Sequence, residues 1–366
     1  DPTAEPNLLA EVTIEDTDAQ DLRPDAPPVS AGGRFELDGW IGALRASGEA
    51  YVTAPDIGRT ELDLSARWVS DTIYVDASRA RAHGAVVQAS GHVLPDGEDT
   101  EGDLVLEWTG LRWPLDGDAI ALSPSGQATI SGTRASYDVR VDSRLLSQDR
   151  PEIGVVLRGE GTPTTMSIRE ALLRSSGGDL RTRGDVAWGS ESRWNLDFTA
   201  VDVRPEAFAP DSIALRGLFQ ARGRSRGVRT AQALQSTVLL DSLHGVLNDE
   251  PVHARLDGSG RVPFGATGLS WMEGTLSLET LEVQWGQNHL SATGFVEDSL
   301  AITGTASLPD LSVLPAPVSG RLEGSFGLSG PRTAPDLDLD VSASELVGGA
   351  ITVDALGVTG RIEAAR

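Results

Sequence analysis

Apolar and polar residues trade places at every second position over much of this chain. Leu62, Leu64, Ala66 and Trp68 hold one register, and Glu61, Asp63, Ser65 and Arg67 hold the other. The same two-step alternation runs through Ile73/Val75/Ala77, Leu104/Leu106/Trp108, Trp194/Leu196/Phe198, Leu276/Leu278, Leu281/Val283/Trp285 and Leu337/Leu339/Val341/Ala343. Successive side chains of a strand point to opposite faces, so the pattern predicts a sheet with one apolar face and one acidic, wet face. The 41 glycines and 20 prolines fall largely between these runs, which predicts many short strands joined by tight turns. Helical signals are scarce. Residues 167–174 carry helix formers but also read as a strand, 230–243 give mixed signals, and 205–208 have room for one turn. None is long or amphipathic enough to roof the apolar face.

A second pattern is laid over the first: an apolar residue, three others, a glycine, one more residue and another apolar one. It reads Leu44…Gly48…Ala50, Val87…Gly91…Val93 and Leu180…Gly184…Val186. It returns as Leu256…Gly260…Val262, Leu290…Gly294…Val296 and Leu356…Gly360…Ile362, with looser copies at Gly132, Gly223 and Gly330. Successive glycines lie 30 to 52 residues apart, 39 on average, a period typical of repeat arrays. The variable spacing predicts irregular hairpin units of two or three strands, unlike the strict coils of a parallel β-helix. Each glycine marks a bend or bulge. Residues 31–366 therefore read as one continuous β-repeat array cut from a longer protein. Residues 1–30, rich in Asp, Glu and Pro, read as an acidic linker or loose edge, with enough apolar residues at 12–14 for one strand.

Charge narrows the function. There are 54 acidic residues against 30 basic ones, net −24, and every basic one is arginine. Such a chain has no electrostatic footprint for nucleic acid and no polybasic patch for an anionic bilayer. Cysteine is absent, so disulfides and thiolate metal sites are excluded. No run of 18 apolar residues predicts a spanning helix. The five histidines (83, 92, 244, 253 and 289) are dispersed without metal-type spacing. Gly159-Glu-Gly161 lacks the rest of a phosphate loop, and no Gly-x-Ser-x-Gly elbow or calcium loop is present. Glu98-Asp99 and Asp249-Glu250 read as solvated turns. No catalytic residue, metal ligand or cofactor is predicted.

The apolar face must be sheltered. Leaving several thousand Å² of it in water would cost on the order of 100 kcal/mol at about 25 cal/mol per Å². A second sheet, closure into a barrel or β-helix, or a trough around an apolar ligand would each solve this. The tandem repeat does not supply a sandwich strand order, and an acidic wet face is wrong for a membrane barrel. An all-β, elongated open trough with an apolar interior and a polar exterior remains. Its predicted lining is Leu62, Leu64, Trp68, Ile73, Val75, Leu104, Leu106, Trp108, Trp194, Leu196, Phe198, Leu276, Leu278, Val283, Trp285, Leu337, Leu339 and Val341. For the tryptophans, packing against neighbours and lining an apolar path are the same role, since in a trough the core is the lumen.

Two stretches carry a family resemblance. One is Leu106-Glu-Trp-Thr-Gly-Leu-Arg-Trp-Pro-Leu115 with Ser123-Pro-Ser-Gly126, Gly132 and Tyr137-Asp-Val139. The other is Leu308-Pro-Asp-Leu-Ser-Val-Leu-Pro315 with Gly320-Arg-Leu-Glu-Gly324 and Gly330-Pro-Arg-Thr-Ala-Pro335. With these, nearly the whole chain after residue 30 resembles the TamB family within the wider AsmA-like group. The resemblance implies a long β-trough acting as a periplasmic bridge. It would be anchored to the inner membrane, carry phospholipid by its acyl chains, and work with the outer-membrane barrel TamA. An alternative is a scaffold or chaperone for outer-membrane proteins or autotransporters, pairing through open sheet edges. A third is a β-helical polysaccharide enzyme, which would need acids converging inward. Arg112 and Trp113 are expected either on the lining or at a strand crossover.

Overall fold

A computed structural model describes residues 7–22, 28–40, 42–54, 58–95, 100–113, 115, 121–146, 151–207, 216–265, 268–269, 273–313, 318–348 and 351–363. Its strands fall into two compact units, Asp1–Ser175 and Ser176–Arg366.

In the first unit β1 (Asn7–Asp18), β2 (Ser30–Trp40), β3 (Ala43–Ala54), β4 (Gly58–Val69), β5 (Thr72–Ala82) and β6 (Ala85–Leu94) follow one another. They are continued by β7 (Glu101–Trp113), β8 (Ala121–Thr133), β9 (Tyr137–Leu145), β10 (Ile153–Gly161) and β11 (Thr165–Ser175). Each strand pairs antiparallel with its sequence neighbours, a meander whose ends do not meet. Residues 12–14 lie within β1, and 167–174 are strand.

The second unit is built alike. It contains β12 (Gly178–Ala187), β13 (Ser192–Val203), β14 (Gly217–Arg229), β15 (Ala233–Leu247), β16 (Glu250–Gly265) and the two-residue β17 (Gly268–Leu269). After these come β18 (Thr275–Trp285), β19 (Asn288–Val296), β20 (Ser299–Leu308), β21 (Val318–Pro331), β22 (Asp336–Gly348) and β23 (Ile351–Ile362). All pairings are again antiparallel between neighbours, with β17 folded on the end of β16. Helices are few: Ala19–Leu22 and short 3-10 turns such as Pro205–Ala207 and Leu311–Val313. Each unit is the open, all-β, one-sided sheet that the alternation predicts.

The strands are longer than the breaker pattern suggests, because several breakers sit inside them. Pro124 lies within β8, opposite Gly110 at φ 67°, and Pro251 and Pro263 lie near the two ends of β16. Arg112 and Trp113 mark no crossover: they extend β7 and pair with Leu122 and Ala121. Two hairpins show how turns set register. Asn248 (φ 48°) and Asp249 (φ 68°) join Leu247 to its partner Glu250, and His83-Gly84 join Ala82 to Ala85. Positive φ at both central residues gives the turn whose twist matches the flanking strands.

Bulges bend the sheets. Register shifts occur at Asp63/Ala66 and Val75/Ser78 in the first unit and at Ala200/Val203, Leu240/Leu243 and Leu278/Leu281 in the second. An extra residue on one strand raises local twist and curls the ladder. Ala77, expected in register with Ile73 and Val75, sits in such a bulge at φ 133°, and Ala80 and Ala82 take over the face beyond it. The repeat glycines Gly91, Gly184 and Gly294 share φ values of 143°, 136° and 141°. At each of them the neighbouring strand's carbonyl oxygen occupies the place a Cβ would need.

Candidate functional site

Strand register defines the apolar face. In the first unit one row across neighbouring strands reads Ala46, Ala66, Val75, Gly91, Leu104, Ile130, Val139 and Gly159. All eight predicted lining residues of this unit (Leu62, Leu64, Trp68, Ile73, Val75, Leu104, Leu106 and Trp108) fall on this one face. In the second unit Trp194, Leu196 and Phe198 face Gly227, Ser225 and Gly223. Leu276, Leu278, Val283 and Trp285 continue the face through β18, and Leu337, Leu339 and Val341 through β22. The ten predicted residues of that unit again share one side.

Among the described residues no protein layer covers it. Along most strands the polar side alternates as exposed and the apolar side as half-buried. Among the described residues no large side chain is fully buried; Trp68 is 52% exposed and Leu276 47%. The buried apolar residues are few, and more than half are alanines: Ala85, Ala128, Ala233, Ala292 and Ala343, with Leu172, Val252, Val262 and Leu311. Leu172 runs against the pattern, buried on the polar side opposite Val156.

Register also pairs aromatic rings with glycines, which the sequence alone did not reveal. Phe35 faces Gly48, Trp108 Gly126, Tyr137 Gly161, Trp194 Gly227, Phe198 Gly223, Phe219 Gly245 and Phe326 Gly304. In every pair a Cβ on the glycine would fall under 3.0 Å from the ring, so the ring lies in the hollow the missing side chain leaves. Polar ring atoms are satisfied inside the sheet. The Trp108 indole donates to Ser123 Oγ at 2.8 Å, the Trp194 indole to Ser225 Oγ at 3.0 Å, and the Tyr137 hydroxyl to the Thr162 carbonyl at 2.9 Å. Ser123 is held in turn by the Ser143 hydroxyl at 2.8 Å. A lining built this way offers apolar ring faces and few bare donors.

The opposite face carries arginine–carboxylate pairs across strands. Arg67 Nε and Nη2 each donate to Asp76 at 2.7 Å, and this bidentate bond holds the Asp76 carboxyl below the ordinary carboxylate range. Arg81 meets Asp63 at 2.7 Å, Arg34 meets Glu11 at 3.0 Å, and Arg169 bridges Asp138 and Glu160. Arginine's fixed fork suits such cross-strand carboxylates. At a strand end, Asn288 is buried and clasps Asp310: its amide donates to the Asp310 carbonyl at 2.7 Å and accepts from the Asp310 N–H at 3.1 Å.

A concavity of about 750 Å³ over β19 to β23 mixes Phe326 and Leu339 with Asp338, Asp340 and Arg361, and lies open to solvent. The histidines are less dispersed than their spacing suggests, since His244 and His253 stand opposite each other on the exposed polar side. Among the described residues no group of three or more His, Asp or Glu could hold a metal, and no helix is long and apolar enough to cross a membrane. Glu98-Asp99 lies outside the described residues.

Open antiparallel meanders, repeat-built and apolar on one uncovered side, define the class: an all-β repeat array with an exposed apolar face. Residues 33–366 match the family described as TamB, N-terminal domain, and the chain belongs to that family. A curated relative, the translocation and assembly module subunit TamB of Haemophilus influenzae, is 24% identical over 196 residues. That match covers 54% of this chain and 14% of the relative's length, so the chain spans a small part of it.

Proposed function

We propose that this chain is a section of a hydrophobic conduit that carries phospholipid by its acyl chains across the periplasm of a Gram-negative bacterium. The observation that carries this reading is the face itself. In each unit the predicted apolar residues gather on one side with no layer over them among the described residues, while the other side carries arginine–carboxylate pairs. A diacyl lipid with ~30 methylenes would pay roughly 24 kcal/mol to cross water, at ~0.8 kcal/mol per methylene. An apolar gutter removes most of that barrier. Because it is continuous and unspecific, it also lacks a deep well in which a lipid would stall. The head group rides in solvent at the open side. No covalent step is required, so the role is non-enzymatic; the full-length protein is anchored to the inner membrane and has the outer-membrane barrel TamA, a separate protein, as its partner.

The relative's name supports a second reading, a scaffold for protein assembly. One experiment separates the two. A photoreactive residue at Leu106, half-buried on the apolar face, is irradiated in cells and its adducts are weighed. The conduit reading expects diacyl phospholipid. Protein adducts with no lipid would overturn it in favour of the scaffold.

A further inference from the structure

We infer that the glycine–aromatic pairs on the apolar face set the clearance of the acyl path, the glycine holding each ring down against the sheet. This inference rests on the conduit reading and says which residues keep the conduit open.

The geometry at two pairs isolates the effect. Gly126 has no positive φ, and the atoms nearest an added Cβ all belong to side chains: the Trp108 ring first, then the Ser143 hydroxyl at 2.9 Å. Gly161 is simpler still, since the atoms nearest an added Cβ all belong to the Tyr137 side chain. At Gly227 and Gly304 backbone carbonyls crowd the same space, so a substitution there would also strain the ladder. The Trp108 ring lies over β8 against Gly126, with its indole N–H anchored on Ser123 three residues away along the same strand. It therefore covers the floor of the face with its flat side. Side chains occupy discrete staggered rotamers, so a ring pushed off its glycine does not shift slightly; it swings to another well. The uncovered face is the side with room for it, because no protein layer lies there among the described residues. A ring standing up from the floor would occupy the space a tail needs.

The test uses the full-length protein with the photoreactive residue at Leu106, two positions along β7 from Trp108. Gly126→Ala is expected to lower the phospholipid adduct about tenfold, the equivalent of ~1.4 kcal/mol or about two buried methylenes. Adding Trp108→Leu to Gly126→Ala is expected to restore it, because the obstructing ring is gone. A merely destabilised sheet would not be rescued by losing a second aromatic. Gly154→Ala, whose Cβ would find nothing nearer than 3.8 Å, is the control for adding a methyl to a strand. Should Gly126→Ala fail to fold, Gly161→Ala with and without Tyr137→Leu makes the same test. Unchanged adduct in folded Gly126→Ala, or no rescue by the double variant, overturns the inference while the conduit stands. No lipid adduct from the unsubstituted glycine protein overturns both.

Discussion

Placing a carboxylate in the middle of the apolar face should stop lipid without unfolding the sheet. Leu106 stands between Ala89 on β6 and Ala128 on β8, with Leu104 and Trp108 on either side along its own strand. Fully burying a leucine is worth about 1.5–3 kcal/mol, and Leu106 is only half-buried, so Leu106→Ala should cost about 1 kcal/mol. Leu106→Asp adds the penalty of a charge against apolar neighbours. Water still reaches one side of it, which limits the total to roughly 3 kcal/mol. Against a stability of about 5–15 kcal/mol the sheet survives either change. A lipid tail lying over the carboxylate must strip that remaining water, at a penalty of several kcal/mol per ion. Taking ~4 kcal/mol, and 1.4 kcal/mol per factor of ten, occupancy beside the site should fall by about 10³. The assay is lipid photocrosslinking from Ile130, which faces Leu104 on the same side, with urea melts run in parallel. Leu106→Ala brings no charge for a tail to strip of water, so crosslinking should stay within about fivefold of the parent, the equivalent of ~1 kcal/mol at 1.4 kcal/mol per factor of ten. A folded Leu106→Asp protein that crosslinks lipid at the parent level would refute the reasoning.

Further outcomes follow from the same geometry. Asn288→Ala strips the Asp310 N–H and C=O of their partner and should cost about 2 kcal/mol, seen as a lower urea midpoint. Gly91→Ala forces a methyl onto the Asp103 carbonyl at φ 143° and should cost about 2 kcal/mol or more, whereas Gly360→Ala, at the same motif position with nothing within 4 Å, should stay within about 0.5 kcal/mol. Asp76 titrates low because Arg67 bonds its charged form, so its contribution is present above the unfolded carboxylate range and is lost as pH falls through the lowered native value. Acid titration of Asp76→Asn should therefore show a shallower loss of stability below about pH 4, by under ~1 kcal/mol given the pair's exposure; an identical acid limb would contradict the pairing.

Much of this was legible in the sequence because period-two alternation survives any error in register. Leu62, Leu104, Leu196 and Leu339 reach the apolar side whatever strand lies next to them. The glycine motif was legible as punctuation, but not its two uses: a left-handed bend at Gly91, Gly184 and Gly294, and a hollow for a ring at Gly48 and Gly223. That division depends on what stands opposite, and opposite residues are fixed by turn length and bulges. The pairing of His244 with His253 escaped notice for the same reason: it exists only because a two-residue turn at Asn248-Asp249 sets the register. The bulge that displaces Ala77 leaves no mark in a hydropathy pattern, since alanine suits either face. Pro124, Pro251 and Pro263 misled in the other direction, as prolines tolerated near strand ends and beside irregular backbone look like boundaries in sequence.

The central claim is that the apolar side, and not the polar one, meets lipid tails. Photoreactive residues placed one at a time at 104, 105, 106, 107 and 108 along β7 test it most directly. The account predicts phospholipid adducts at 104, 106 and 108 and their absence at 105 and 107, a period of two. Lipid adducts at all five positions, or at 105 and 107 alone, would contradict it.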